Sequence, residues 1–271
     1  MNLAASTVVP LMRPVVAPPG SGPTVSVVIP VVGDTESLAA LLAKLRKLDP
    51  APDEIVIVDG GSSAGCRSLA RRFRCAYVGT RPGRGRQLHA GALRASGDVL
   101  WFLHADADPA DDSIALIRQT QRKGAAGGYF RFRFSGTSTW YKTLLAGLTN
   151  WRTRYGTPYG DQGLFAARGA YDAVGGFADT PLFEEVPLVR ALRRHGNFAE
   201  IATPIGVSPR RWERDGWLWR ATGNRLLALA YGLGVPPSRL TRHYQPLGPI
   251  EMPDEDPSDG PDAARGDRGP C

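Results

Sequence analysis

Four groups of residues in this 271-residue sequence have types and spacings that could do chemistry. The first is Pro30 with Asp34, together with Asp59-Gly60-Gly61-Ser62. A carboxylate beside glycines can accept hydrogen bonds from a base or ribose while the glycines let a ligand approach; the same residues also suit a plain strand-to-helix turn with Asp as its cap. The second is Arg81 to Gln87, RPGRGRQ, where small residues between Arg84 and Arg86 would expose backbone N–H groups and guanidiniums to a diphosphate. A solvated basic loop reads the same way. The third is His104-Ala105-Asp106-Ala107-Asp108. Hard oxygen ligands there suit Mg²⁺ or Mn²⁺ bridging two phosphates, which would neutralise charge on a departing diphosphate. Alternatively, Asp108-Pro109 opens a loop and Asp111 or Asp112 caps a helix. The fourth is Phe183-Glu184-Glu185-Val186, where acids favoured by a helix dipole could also include a general base for a hydroxyl.

The elements that must hold these groups are legible from periodicity. VSVVIP (25–30), EIVIVD (54–59), 76–79 and DVLWFL (98–103) read as short buried strands, with helical spacing over 37–48, 66–74 and 87–95 between them. Alternating strand and helix implies βαβ units, a parallel sheet, and ligands at the carboxyl ends of its strands, where the first three groups fall. After residue 125 the pattern changes. GYFRFRF (128–134) alternates as a half-buried strand, and 140–151, 179–194 and 217–234 read as helices. In the last of these, Trp217 and Trp219 are expected to pack on the domain, so that vesicle binding at physiological salt should be small or nil.

Composition narrows the partners. The net charge of +7 divides into −5 on residues 248–271 and +12 on residues 1–247, which suits an anionic partner: nucleic acid, an anionic membrane surface or a phosphorylated ligand. Arg-rich usage by the genome gives the same balance. Neither GxxxxGK[ST] nor a GxGxxG following a strand occurs, and no nucleic-acid recognition motif appears. Cys66, Cys75 and Cys271 form no CxxC pair and read as idle thiols of a reducing compartment. Residues 1–23 are broken by prolines and lack a basic start, so they read as a flexible leader, and 245–271 as a disordered acidic tail.

In this order and spacing the four groups resemble the family 2 glycosyltransferases. The resemblance spans roughly residues 24–200; GRGRQLHAGA, WFLHADAD, PYGDQGLFAARGAYDAVGGF and RRWERDGWLWRATGNRLLALAYGLG look more narrowly like a bacterial arsenosugar-biosynthesis-type subgroup. It implies an α/β GT-A (Rossmann-like) fold, mainly a parallel sheet flanked by helices, with a C-terminal helical extension. Residues 24–120 would form the nucleotide-sugar half, and 121–244 the acceptor half and C-terminal helices. It further implies a cytoplasmic inverting enzyme that uses a divalent cation, Mg²⁺ or Mn²⁺, to move a sugar from a nucleotide-diphosphate sugar to an acceptor hydroxyl; the alternative is a non-catalytic nucleotide-sugar-binding or membrane-docking module of the same fold. No nucleic-acid partner and at most weak peripheral membrane association are expected. Residue by residue, Pro30 would belong to the donor site, Asp59 would contact the nucleotide base, and Asp34 its base or ribose. Arg84 and Arg86 would serve the base or diphosphate, Asp106 would be the metal-binding acid, and Glu185 the catalytic base with Asp161 its rival. Arg211-Trp212 resembles the end of a QxxRW donor motif, with Ser208 in the Gln position. His104 stands where most relatives carry an Asp, which either weakens metal dependence or makes His104 a ligand itself. Glu184 is expected to point about 100° away from Glu185 on a helix.

Overall fold

The computed structural model describes residues 22–240. Most of the leader and all of the acidic tail read from the sequence lie outside the described residues. The first half runs β1 (Val25–Val31), α1 (Thr35–Leu45), β2 (Glu54–Asp59), α2 (Ala64–Arg72), β3 (Ala76–Gly79), α3 (Arg84–Arg94), β4 (Val99–Phe102). The second half continues with β5 (Ala107–Asp108), α4 (Ser113–Arg122), β6 (Gly127–Phe134), α5 (Trp140–Tyr155), a 3-10 turn at Gly160–Gln162, β7 (Phe165–Ala167), α6 (Arg168–Ala173), α7 (Glu185–His195), β8 (Phe198–Val207), α8 (Arg210–Asp215), α9 (Trp217–Gly232) and α10 (Pro237–Leu240).

One sheet carries the described strands in the order β3-β2-β1-β4-β7-β6-β8-β5. Its first four strands are parallel, as βαβ alternation requires. From β7 onward it is mixed: β7 runs antiparallel to β4 and β6, β6 pairs parallel with β8, and β5 closes the edge antiparallel to β8. Strands buried on both faces explain the unbroken apolar runs. Val25, Val27 and Ile29 of β1 face a cluster with Leu38, Leu42 and Trp101, whereas Val28 turns to the other face with Val56, Leu88 and Phe102. Pro30 lies beyond the last β1–β4 pair, Val28 with Phe102, where its missing N–H costs that ladder nothing.

Three local expectations change. Helix α3 begins at Arg84 rather than at residue 87, so much of RPGRGRQ is a helical first turn and not an open loop. A Cβ at Gly85 would stand 2.2 Å from the Ala178 carbonyl oxygen, so this small residue serves close packing rather than ligand approach. Helix α7 begins at Glu185 rather than at 179, because Phe183 sits in the left-handed region (φ 59°) and interrupts the helix before it starts. Finally, Trp217 packs on Phe134 and Trp212, while Trp219 is 79% exposed, against the expectation that both would be covered.

Candidate active site

The carboxyl ends of the central strands and the start of α3 converge on one cavity with the turn at Gly160–Gln162, the start of α7, and α8 and α9. Six of the residues given a role by the family resemblance line it: Arg84, His104, Asp106, Asp161, Glu185 and Trp212, with Phe183, Glu184 and Ser208 of the same motifs beside them. Its volume of about 190 Å³ is below the ~300 Å³ at which drug-sized ligand pockets begin, so it can enclose the reacting end of a large ligand rather than the whole of it.

Each charged group is placed by a distinct device. Arg84 occupies the first turn of α3, where free backbone N–H groups and the helix dipole favour an anion. Gln87, three residues on and buried, donates to the carbonyls of Val31 and Val58 and so ties the ends of β1 and β2 beneath that turn. His104 and Asp106 lie between β4 and β5, and the pairing of β5 with β8 fixes their segment. Asp161 rides in the 3-10 turn. There Gln162 is fully buried and donates to the carbonyl of Phe130, anchoring the turn to β6. On the apolar side Tyr159, Phe183 and Tyr231 form consecutive ring contacts of 5.9 and 4.7 Å, and the Arg152 guanidinium lies 4.4 Å over Tyr159.

Two carboxyls of the cavity, Glu185 and Asp161, are strongly perturbed. Glu184 and Glu185 are both buried. Glu184 forms an ion pair with Arg84 at 3.5 Å, and Glu185 accepts a weak hydrogen bond from the Gly160 N–H at 3.4 Å. Burial first, and the neighbouring Glu184 charge second, push the Glu185 carboxyl well above the usual carboxylate range, against the attraction of Arg84. Burial likewise lifts Asp161 to about 6. Arg152 and Arg84 oppose that rise, and Asp106 adds to it. Glu184, the residue that caps α7, has helical dihedrals (φ −56°, ψ −29°), yet both glutamates line the cavity, against the expectation that Glu184 would point away.

The remaining sequence candidates sit elsewhere. Asp59 is fully buried, and it accepts from the backbone N–H groups of Gly61 (2.8 Å) and Ser63 (2.7 Å) and from the hydroxyls of Ser63 and Tyr77. It therefore organises the turn after β2. Asp34 caps α1 by accepting from Ser37 N–H at 3.1 Å. Arg86 makes an exposed ion pair with Asp179 at 2.7 Å, and Pro30 remains within β1. The Arg211 side chain lies outside the described residues. The sequence reading missed Tyr159, Leu182 and Leu227 as cavity residues; the aromatic in PYGDQ was the one available signal.

The fold is α/β, and its cavity lies at the carboxyl ends of the central strands. The chain belongs to glycosyl transferase family 2, whose model matches residues 26–178, more than half of its length. A protein described as an uncharacterized glycosyltransferase of Mycobacterium tuberculosis is 34% identical over 107 residues, 39% of this chain and 47% of that protein. Glucosyl-3-phosphoglycerate synthase of Mycolicibacterium smegmatis is 27% identical over 96 residues, 32% of each. The match thus spans about half the length of the first of these relatives and a third of the second. Among solved structures, a mannosyltransferase of Pyrobaculum calidifontis in complex with GDP-Man and Mn²⁺ shares the GT-A fold at TM-score 0.60 and 18% identity, covering 87% of this chain and 70% of that one. Glucosyl-3-phosphoglycerate synthase of M. tuberculosis with Mn²⁺, UDP and its product shares it at TM-score 0.55 and 20% identity, covering 80% and 82%.

Proposed function

We propose that this chain transfers a hexosyl group from a nucleotide-diphosphate sugar to an acceptor hydroxyl with inversion at the anomeric carbon. The observation that carries the reading is the convergence, in one cavity, of an arginine at a helix N-terminus with Asp106, the buried Glu185 and the half-buried Asp161, both carboxyls of raised pKa. Arg84 would bind the diphosphate and receive the negative charge that develops as the sugar–oxygen bond breaks. Glu185 would take the acceptor proton as that oxygen attacks from the opposite face. A carboxyl raised toward the operating pH is a stronger base than an ordinary one. Leu182, Phe183, Trp212 and Leu227 would hold the acceptor and keep water out.

A divalent cation fits the residues present. Among the described residues no cluster of three protein ligands occurs, yet Asp106, with His104 in the same cavity, offers what Mg²⁺ or Mn²⁺ uses when substrate phosphates complete its shell. Such an ion would supply charge neutralisation at the diphosphate. Asp106 would hold it, with His104 as a second ligand. The Mn²⁺ and nucleotide complexes of the two solved relatives support this reading.

The test is single-turnover transfer with donor affinity measured in parallel. Glu185→Gln keeps the size of the side chain and removes the base, so transfer should fall by about 10²-fold or more while donor affinity persists. Near-normal transfer in Glu185→Gln with loss in Asp161→Asn would move the base to Asp161. Normal transfer in both variants would overturn the mechanism.

A further inference from the structure

Two helices leave apolar stripes uncovered. On α5, Trp140, Leu144, Leu148, Trp151 and Tyr155 recur at intervals of three and four residues, which sets them on one face, and they are 39–78% exposed. On α9 and its C-terminal cap, Trp219, Leu226, Leu229 and Leu233 follow the same rule at 61–79% exposed. The helices meet at their starts, where the Tyr141 and Trp217 rings lie 4.9 Å apart and Lys142 Nζ stands 5.6 Å over the Trp217 ring. An exposed apolar stripe at helical spacing marks a docking surface rather than scattered surface leucines.

We infer that the α5 and α9 face docks on an anionic phospholipid surface, lying in the interface without crossing it. Three observations select that occupant. Neither helix contains Asp or Glu; their charged side chains are Lys142, Arg152, Arg154, Arg220 and Arg225. Exposed Arg154 and Arg225 stand beside the stripes, and exposed Arg239 follows on α10. Basic residues flanking a Trp/Leu face are the composition of interfacial helices, with tryptophan and tyrosine at headgroup level and leucine beneath. Lys142 is buried and paired with Glu213 at 3.5 Å, so the exposed charge beside the stripes comes from the arginines, and a second copy would set those like charges against one another. Among the described residues no helix is long and apolar enough to cross a membrane, which leaves the surface mode. The exposed Trp219 removes the ground on which the sequence argued for negligible vesicle binding. Since Leu227 of α9 lines the catalytic cavity, docking brings that cavity to the bilayer surface, where an amphiphilic acceptor would be presented.

The experiment needs neither donor nor acceptor, so its failure is distinct from failure of the proposed transfer. The full chain is cosedimented, at about 150 mM salt, with vesicles of phosphatidylcholine containing one-third phosphatidylglycerol and with phosphatidylcholine alone. Binding is expected to favour the anionic vesicles and to fall about tenfold or more in Leu144→Glu/Leu148→Glu and in Leu226→Glu/Leu229→Glu. These side chains are exposed, so melting temperature and nucleotide-diphosphate affinity should stay at wild-type values in both variants. Absence of vesicle binding, equal binding to both vesicle types, or undiminished binding by both variants would overturn the inference. A dimer that ignores vesicles and dissociates in the same variants would assign the face to a second copy.

Discussion

Replacing Asp161 by asparagine preserves the shape of the Gly160–Gln162 turn and removes one of the two carboxyls of raised pKa from the cavity. The Asp161 carboxyl rises from 3.8 to about 6, with burial the largest cause and the Asp106 charge adding to it. A rise of about two units, at about 1.4 kcal/mol per unit, makes the ionised side chain cost about 3 kcal/mol of folding stability, a ceiling because the turn is partly open to water. The sign follows from proton binding. Between pH 3.8 and about 6 the folded chain holds a proton that the unfolded chain has released, so stability is greatest below 3.8 and declines as pH rises toward 6. The asparagine amide has no such proton to lose. In metal-free buffer Asp161→Asn should therefore be more stable than wild type by about 2–3 kcal/mol above pH 6, and the difference should shrink toward zero as pH falls to 4. Urea unfolding of both proteins across this range measures it. Parallel stability–pH curves, or a variant less stable than wild type at pH 8, would refute the claim that burial raises this carboxyl.

Three further outcomes test the rest of the site. Asp106→Ala should abolish the Mn²⁺-dependent rise in melting temperature given by a nucleoside diphosphate, and His104→Ala should reduce it by a smaller amount; a thermal-shift titration reads both. Arg84→Ala should weaken nucleoside-diphosphate binding about tenfold or more, whereas Arg86→Ala, which loses only its exposed ion pair with Asp179, should leave the affinity measured by calorimetry near wild type. Asp59→Ala should destabilise the fold by about 3 kcal/mol or more in urea unfolding, since it strands two backbone donors and two hydroxyls in a buried turn.

Much of the first half was legible because its signals are local. A strand buried on both faces must be apolar throughout, so VSVVIP, EIVIVD and VLWF were readable without any tertiary contact. Motifs at strand ends follow from that reading. The second half was less legible: β5 is two residues long and β7 three, too short to carry a periodicity of their own, and both exist because β8, β4 and β6 offer them partners. Helix α3 was read as starting late because Gly83 and Gly85 look like loop residues, whereas Gly85 is small to clear the Ala178 carbonyl.

The sequence by itself determined the α/β alternation, the residue types at the strand ends and the family. Only the tertiary structure decided which of those residues meet. Asp161 and Glu185, 24 positions apart, come to the same cavity because β7 inserts antiparallel between β4 and β6, carrying the Gly160–Gln162 turn to the start of α7. Arg84 faces the cavity while Arg86, two residues on and so about 200° around the same helix, turns to Asp179. Asp59 looked like a ligand contact, and its hydrogen bonds turned out to close its own turn. Trp217 and Trp219 are chemically alike, and only the surface beneath α9 covers one and exposes the other. Periodicity fixes which face of an element is apolar. What that face meets depends on the order of strands in the sheet, which no local pattern encodes.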